Sequence, residues 1–153
     1  MDITFKEYSK DDLDEISALF FDTVHTVCAK DYTPPELSAW APDDLPYLGW
    51  QESFKGRHVL LAVGGSGKIL GFGDIDPSGY LDRFYIHKDF QGMGIGSKLL
   101  HRLENLVPDK DITLYASITA RPFFEKMGYQ TVAENFAIRD GLAIKNYFMR
   151  KKR

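Results

Sequence analysis

The chain has 153 residues, 44% hydrophobic and 27% charged, with a net charge of -3, the balance of a globular domain long enough for one sizeable core. That charge offers nucleic acid no bulk electrostatic handle, and the single cysteine, Cys28, excludes an internal disulfide and a thiolate zinc site. No apolar run approaches membrane-spanning length and no basic-then-apolar leader opens the chain, so a cytoplasmic protein without a membrane, nucleic-acid or metal partner is the expectation.

Residues 3–8 alternate Ile3, Phe5 and Glu7 with Thr4, Lys6 and Tyr8, a short strand. Ser9 followed by Asp12 resembles a capping box. Leu13, Ile16, Phe20, Val24 and Val27 then recur at helical spacing and predict a helix to about Val27. His25, near its end, reads as a packing or surface residue. Thr33-Pro34-Pro35-Glu36 supplies a cap, a proline in the first turn and a reciprocal glutamate, so a second, short helix is predicted to about Trp40. A break at 41–46 comes next, and then a third helical piece over about 47–54. Residues 31–54 mix Tyr32, Trp40, Tyr47 and Trp50 with Asp31, Glu36, Asp43 and Asp44. Rings and carboxylates together suit a cationic ligand, with Tyr32, Trp40 and Trp50 as its candidate contacts. The plainer alternative is that the tryptophans cover a sheet.

Residues 58–63 and 68–75 read as a hairpin about Gly64-Gly65-Ser66-Gly67. The text resembles a nucleotide-binding loop but fails as one, because Ala62 holds the leading glycine position and Ile69 follows the lysine. A turn at 76–79 leads to a third strand over 80–87. Gly92, Gly94 and Gly96 come next, and Ile95, Leu99, Leu100, Leu103 and Leu106 begin a helix at once. Strand, glycine turn and helix leave bare N–H groups at a helix N-terminus, an anion site. Ser97 stands where a dinucleotide fingerprint needs its third glycine. A strand over 112–117 makes a strand–helix–strand crossover and hence parallel neighbours. Thr119 is the expected cap of a last helix containing Pro122, Phe123, Phe124 and Met127 and stopped by Gly128. Residues 129–134 and 143–149 read as a closing antiparallel pair, and residues 150–153 as a solvated basic end. No repeat or linker divides residues 1–153, which read as one domain.

Gln91-Gly92-Met93-Gly94-Ile95-Gly96 resembles the coenzyme A-binding motif of the GNAT N-acetyltransferase superfamily, Gln/Arg-x-x-Gly-x-Gly/Ala. Ser117-Ile-Thr-Ala120-Arg-Pro-Phe123-Phe124-Glu-Lys-Met-Gly128-Tyr129 resembles that superfamily's second pattern, Asn-x-x-Ala-x-x-Phe-Tyr-x-x-x-Gly-Phe, at the spacing of every anchor. The order of elements agrees over essentially the whole chain. The resemblance implies an α/β (α+β) fold, GNAT-like, with a mixed, mostly antiparallel sheet of about seven strands and one parallel crossover. It also implies acetyl coenzyme A as co-substrate. Backbone from Gly92, Met93, Gly94, Ile95, Gly96 and Ser97 would hold its pyrophosphate, behind Gln91. Phe84, Tyr85, Ile86, Ser117, Phe123 and Phe124 would line its acyl arm, and the backbone of Phe84, Tyr85 and Ile86 would polarise the thioester.

Asp82 is the expected base and Ser117 a hydrogen-bonding or proton-relay group. Two departures matter. Phe124 replaces the family's tyrosine, the usual proton donor, and Ser117 replaces its asparagine; Tyr85, Tyr115, Tyr129 and Tyr147 are other candidate donors. The implied activity is N-acetylation of a primary amine by direct attack in a ternary complex, and the aromatic and acidic segment points to a small amine. The alternative, kept open by Phe124, is an acyl-coenzyme A-binding module with little or no turnover. The C-terminal strands are a candidate homodimer surface, as in some relatives.

Overall fold

The computed structural model describes residues 2–153. In chain order the elements are β1 (Ile3–Glu7), α1 (Leu13–Val27), α2 (Pro34–Trp40), α3 (Gly49–Ser53), β2 (His58–Gly64), β3 (Ile69–Ile75), β4 (Tyr80–Ile86), α4 (Ile95–Asn105), β5 (Ile112–Ser117), α5 (Arg121–Lys126), β6 (Gln130–Arg139) and β7 (Leu142–Lys151). The capping residues act as their types dictate. The Ser9 N–H donates to Asp12 Oδ2 at 3.0 Å, opening a 3-10 turn that runs into α1. Thr33 and Glu36 close a full capping box, with the Thr33 N–H donating to Glu36 Oε1 at 2.9 Å and the Glu36 N–H donating to Thr33 Oγ1 at 3.3 Å.

The seven strands form one mixed sheet in the order β1-β2-β3-β4-β5-β7-β6. Every neighbouring pair is antiparallel except β4 and β5. Strand alternation feeds two cores. Ile16, Phe20 and Val24 of α1 pack with Leu61 and Phe72. Leu99, Leu100 and Leu103 of α4 pack with Leu81, Ile112 and Leu114. The helical stripe was expected to reach Leu106, but that residue is 42% exposed; α4 has ended at Asn105, and Val107 seals the core instead. Among the described residues, no helix is long and apolar enough to cross a membrane.

Three local irregularities depart from a regular sheet and helix. First, β4 carries a bulge: Asp74 pairs with Arg83 and Ile75 with Leu81, so Asp82 has no counterpart on β3. Second, the closing hairpin outruns its prediction. β6 continues to Arg139 and turns through Asp140 (φ 49) and Gly141 (φ 76), the positive-φ pair of a tight hairpin turn. Phe136 and Ile138 are 53% and 63% exposed, so backbone pairing rather than burial extends the strand past Glu134. Third, Thr119 is not the cap of α5. Ser117 Oγ accepts the Ala120 N–H at 3.0 Å, while Thr119 Oγ1 donates to Asp31 Oδ2 at 2.7 Å.

The basic tail is docked rather than free. Lys151 Nζ lies 3.2 Å from the buried Glu104 carboxylate, and the Arg153 N–H donates to Asp111 Oδ1 at 3.0 Å.

Candidate active site

The site begins where the sheet comes apart. β4 and β5 pair only at Tyr80 with Thr113 and Leu81 with Leu114. Beyond that they diverge, while β4 stays paired to β3 as far as Ile86. The His87 N–H donates to Leu70 O at 2.8 Å. Alternation along an antiparallel ladder therefore turns the N–H of Tyr85 toward β3 and those of Phe84 and Ile86 toward the opened seam. The Ile86 carbonyl obeys the same alternation. It accepts from Thr23 Oγ1 at 3.0 Å and from Gln91 Nε2 at 2.7 Å.

On the α4–α5 side, a cleft of about 340 Å³ is lined by Phe84, Tyr85, Ile86, Gln91, Gly92, Gly94, Ile95, Gly96, Ser97, Ser117, Phe123 and Phe124, joined by Thr23, Cys28 and Thr119. Gly92 and Gly94 have φ of 69° and 83°, and a Cβ on either would meet no atom within 4 Å. Backbone conformation, not crowding, calls for glycine at both. Gly94 caps α4, whose first turn carries no acidic residue, so its bare N–H groups and the helix dipole face the cleft unopposed. Gly96 answers to a different demand: a Cβ there would lie 3.2 Å from the Phe123 ring. Met93, expected in this set, is absent from the lining and 53% exposed, its side chain turned outward between the two left-handed glycines.

On the α1–α3 side lies a larger cleft of about 550 Å³. It shares Phe84, Tyr85, Ser117, Ala120 and Phe124 with the first, so the two meet across the seam. Tyr32, Trp40 and Trp50 are among its lining residues. Tyr32 also fastens the residue after β5 to β7, its hydroxyl donating to Lys145 O at 2.6 Å and accepting the Ile118 N–H at 2.9 Å; burial pushes that hydroxyl up to about 12. The four carboxylates expected beside the rings are elsewhere. Asp31 accepts from Thr119, Glu36 caps α2, and Asp43 and Asp44 add to the burial that pushes Tyr47 up to about 12. None of them lines the cleft, and Asp82 is its only carboxylate among the described residues.

Asp82 stands at the edge of an ion network that sequence reading missed. Its Oδ2 accepts from Arg57 Nη1 at 2.7 Å. Arg57 Nη1 also donates to Asp74 Oδ1 at 3.0 Å, and Arg83 Nη1 to Asp74 Oδ2 at 2.7 Å. Asp74 is fully buried; burial pushes its carboxyl up, against the downward pull of Arg83 and Arg57. Arg83 Nη2 donates to Ser53 Oγ at 2.7 Å, and its guanidinium lies 5.0 Å from the Trp50 ring and 4.9 Å from the Phe54 ring.

The candidate proton donors separate clearly. Tyr129 donates its hydroxyl to Glu104 Oε2 at 2.6 Å inside the α4 core and lines neither cleft. Tyr147 also lines neither; its ring lies 4.2 Å from the Arg121 guanidinium. Tyr85 and Tyr115 do line the larger cleft, with Tyr80, which sequence reading passed over and which burial pushes up to about 12. Ser117 Oγ is already an acceptor for Ala120, and its own O–H remains to donate. Phe124 is buried between Phe84 (5.6 Å) and Tyr129 (5.5 Å) where the clefts join.

Known proteins share this fold. The family model described as the acetyltransferase (GNAT) domain matches residues 28–151. The Escherichia coli (strain K12) protein named as the uncharacterized N-acetyltransferase YafP is 29% identical over 150 residues, 98% of this chain and 96% of that protein. A GCN5-related N-acetyltransferase crystal structure from Rhodopseudomonas palustris superposes with a TM-score of 0.93 at 26% identity, covering 100% of this chain and 97% of that one. The fold is shared more distantly by the PaiA N-acetyltransferase of Thermoplasma acidophilum, solved in complex with coenzyme A, at a TM-score of 0.75, 20% identity and 100% coverage of both chains.

Proposed function

The chain belongs to the GNAT acetyltransferase family, and from that premise we propose that it transfers an acetyl group from acetyl coenzyme A to a small primary amine by direct attack in a ternary complex. The observation that carries the proposal is the seam. Two clefts meet at it, sharing Phe84, Tyr85, Ser117, Ala120 and Phe124, and the N–H groups of Phe84 and Ile86 point into the junction. The coenzyme A held by the T. acidophilum relative supports the choice of cofactor.

The residues present fit that cofactor. The left-handed glycines leave open space beside bare N–H groups at the start of α4, which suits a pyrophosphate. Gln91 fixes the loop against Ile86, and Phe123 and Phe124 give the acyl arm an apolar wall. When bound, acetyl coenzyme A supplies the acetyl thioester. The Phe84 and Ile86 N–H groups stabilise negative charge developing on a carbonyl oxygen in the seam. Asp82, the carboxylate facing the larger cleft, takes a proton from the ammonium through water. The Ser117 O–H donates toward the sulfur side. A thiol of ordinary acidity, about 8.5, leaves readily near neutral pH even without a donor at position 124. Tyr32, Trp40 and Trp50 wall the amine.

The test is thiol release from acetyl coenzyme A across a library of monoamines, polyamines and amino acids, with cofactor affinity measured alongside. Amine-dependent release by at least one compound is expected. Tight cofactor binding with no such release would leave an acyl-coenzyme A-binding module and end the enzyme reading.

A further inference from the structure

Asp74 lines neither cleft, yet it is a completely buried carboxylate with both oxygens engaged by guanidinium groups. Burying such a group is costly unless each partner is well placed, and replacing it with an apolar residue is often neutral for stability. The arrangement therefore calls for a reason beyond stability, and the two arginines supply it. Each leads to a different part of the acceptor cleft. Arg57 bridges Asp74 to Asp82 through a single Nη1, at 3.0 and 2.7 Å. That contact engages Asp82 Oδ2 alone. Arg83 Nη1 also lies 3.7 Å from Asp82 Oδ2, longer than the Arg57 contact, while its Nη2 runs the other way to bond Ser53 of α3, with the guanidinium against Trp50 and Phe54. The bulge in β4 makes this divergence feasible, because it places Asp82 out of register with β3 while Arg83 stays paired with Asp74. The network balances, two carboxylates against two guanidinium groups, and it ties α3, β3 and β4 into one unit.

We propose that Asp74 is a positioning residue for the acceptor half of the site: through Arg57 it fixes the Asp82 carboxylate, and through Arg83 it holds Trp50 of α3 as a wall of the cleft. This rests on the acetyl-transfer reading above for its kinetic consequences, but not for its structural ones. The selectivity comes from the lining residues. Asp82, Arg83 and Trp50 border the larger cleft, and none of them, nor Asp74 or Arg57, borders the cofactor cleft. Disturbing Asp74 thus acts on the amine and spares the cofactor.

The experiment uses the full chain carrying Asp74→Asn. In a Trp40→Phe background, where Trp50 is the remaining tryptophan, acrylamide quenching of its fluorescence rises about twofold as the ring loses its cover. Acetyl coenzyme A affinity stays within about twofold of the parent. With the best amine of the library, kcat/KM falls about tenfold or more, through KM as the Trp50 wall loosens and through kcat as the Asp82 carboxylate loses its position. Arg57→Gln separates the two branches: it lowers kcat/KM for the amine but leaves Trp50 quenching at the parent value. The Asp74→Asn, Arg57→Gln double variant is no worse than Asp74→Asn alone, as residues of one network require. If Asp74→Asn does not fold, Arg83→Lys carries the quenching arm and Arg57→Gln the kinetic arm. Unchanged Trp50 quenching, or cofactor affinity that falls as far as amine kcat/KM, overturns the proposal. If no amine is acetylated the enzyme reading fails, and the quenching result alone decides the role of Asp74.

Discussion

Gln91 reaches back five residues and donates its side-chain amide to the Ile86 carbonyl at 2.7 Å. The bond ties the glycine loop to the last residue of β4, on the edge that carries the Ile86 N–H. A neutral hydrogen bond is worth about 0.5–1.5 kcal/mol net. Gln91→Ala should therefore raise the dissociation constant for acetyl coenzyme A about threefold to tenfold, by calorimetry, and leave the saturated rate nearly unchanged.

Gly94 and Gly96 should fail differently. Gly94 has φ 83° and open space around its missing Cβ. A β-branched residue there meets backbone strain of about 1–2 kcal/mol or more and intrudes on the bare N–H groups. Gly94→Val should weaken cofactor binding at least tenfold with the phenylalanine core undisturbed. At Gly96 the new Cβ would press on Phe123 at 3.2 Å, so Gly96→Ala should shift the Phe123 ring signals by NMR before it affects binding. Equal cofactor affinity for Gly94→Val and the parent would refute the pyrophosphate cradle.

Asp82→Asn addresses the chemistry. Loss of a positioned base lowers rates by about 10²–10⁴. The amine-dependent kcat should fall by about a hundredfold, and the acidic limb of the pH–rate profile should disappear. Cofactor affinity should hold, because Asp82 is not among the residues around the cofactor cleft. A profile with its acidic limb intact would remove Asp82 as the base.

How much of this could be read from the chain depended on whether the information was local. The Thr33–Glu36 box and the glycine stop at Gly128 are short-range instructions, and the helices that they bound formed where expected. The left-handed glycines before α4 were equally legible, since positive φ and a following helical stripe are written in adjacent residues. The acceptor side was not. Asp31, Glu36, Asp43 and Asp44 share a sequence neighbourhood with Trp40 and Trp50, but helix capping and a hydroxyl contact took two of them. The Asp74 network joins three segments through a bulge, and no periodicity announces it. Ser117 and Thr119 are both hydroxyls near the start of α5, and only the chain's path decided which one received the Ala120 N–H.

Ser117→Ala should report on that choice. The Ala120 N–H loses its acceptor, at a cost of about 1 kcal/mol, or about 2–4 °C in Tm for a chain of this size. Ser117→Asn, which restores the residue of the family pattern and keeps an acceptor, should recover most of the loss in a thermal melt.

Tyr129 gives the fold an alkaline limit. Burial first, and then its bond to Glu104, push its hydroxyl far above the ordinary tyrosine value of about 10. A group raised in the folded state contributes stability that is complete below its unfolded pKa and is lost as pH climbs beyond it. Urea unfolding should thus show stability falling above about pH 10. Tyr129→Phe should make that slope shallower, leaving the share of Tyr32, Tyr47 and Tyr80, which burial also raises, while at neutral pH it should lose about 1–3 kcal/mol as Glu104 gives up a buried donor.

The two paired positions between β4 and β5 have a mechanical meaning as well. They make the sheet two plates, β1 to β4 and β5 with β7 and β6, riveted at one end, and the Tyr32 hydroxyl braces the second plate by joining β7 to the residue after β5. A pantetheine lying in the gap would serve as the missing strand, so cohesion of the sheet and occupancy of the site become one quantity. Amide exchange at Phe84 and Ile86 should be fast in the free protein and slow sharply on cofactor binding, while Tyr85, already turned toward β3, should hardly change. The enzyme's substrate would then also be its last structural element.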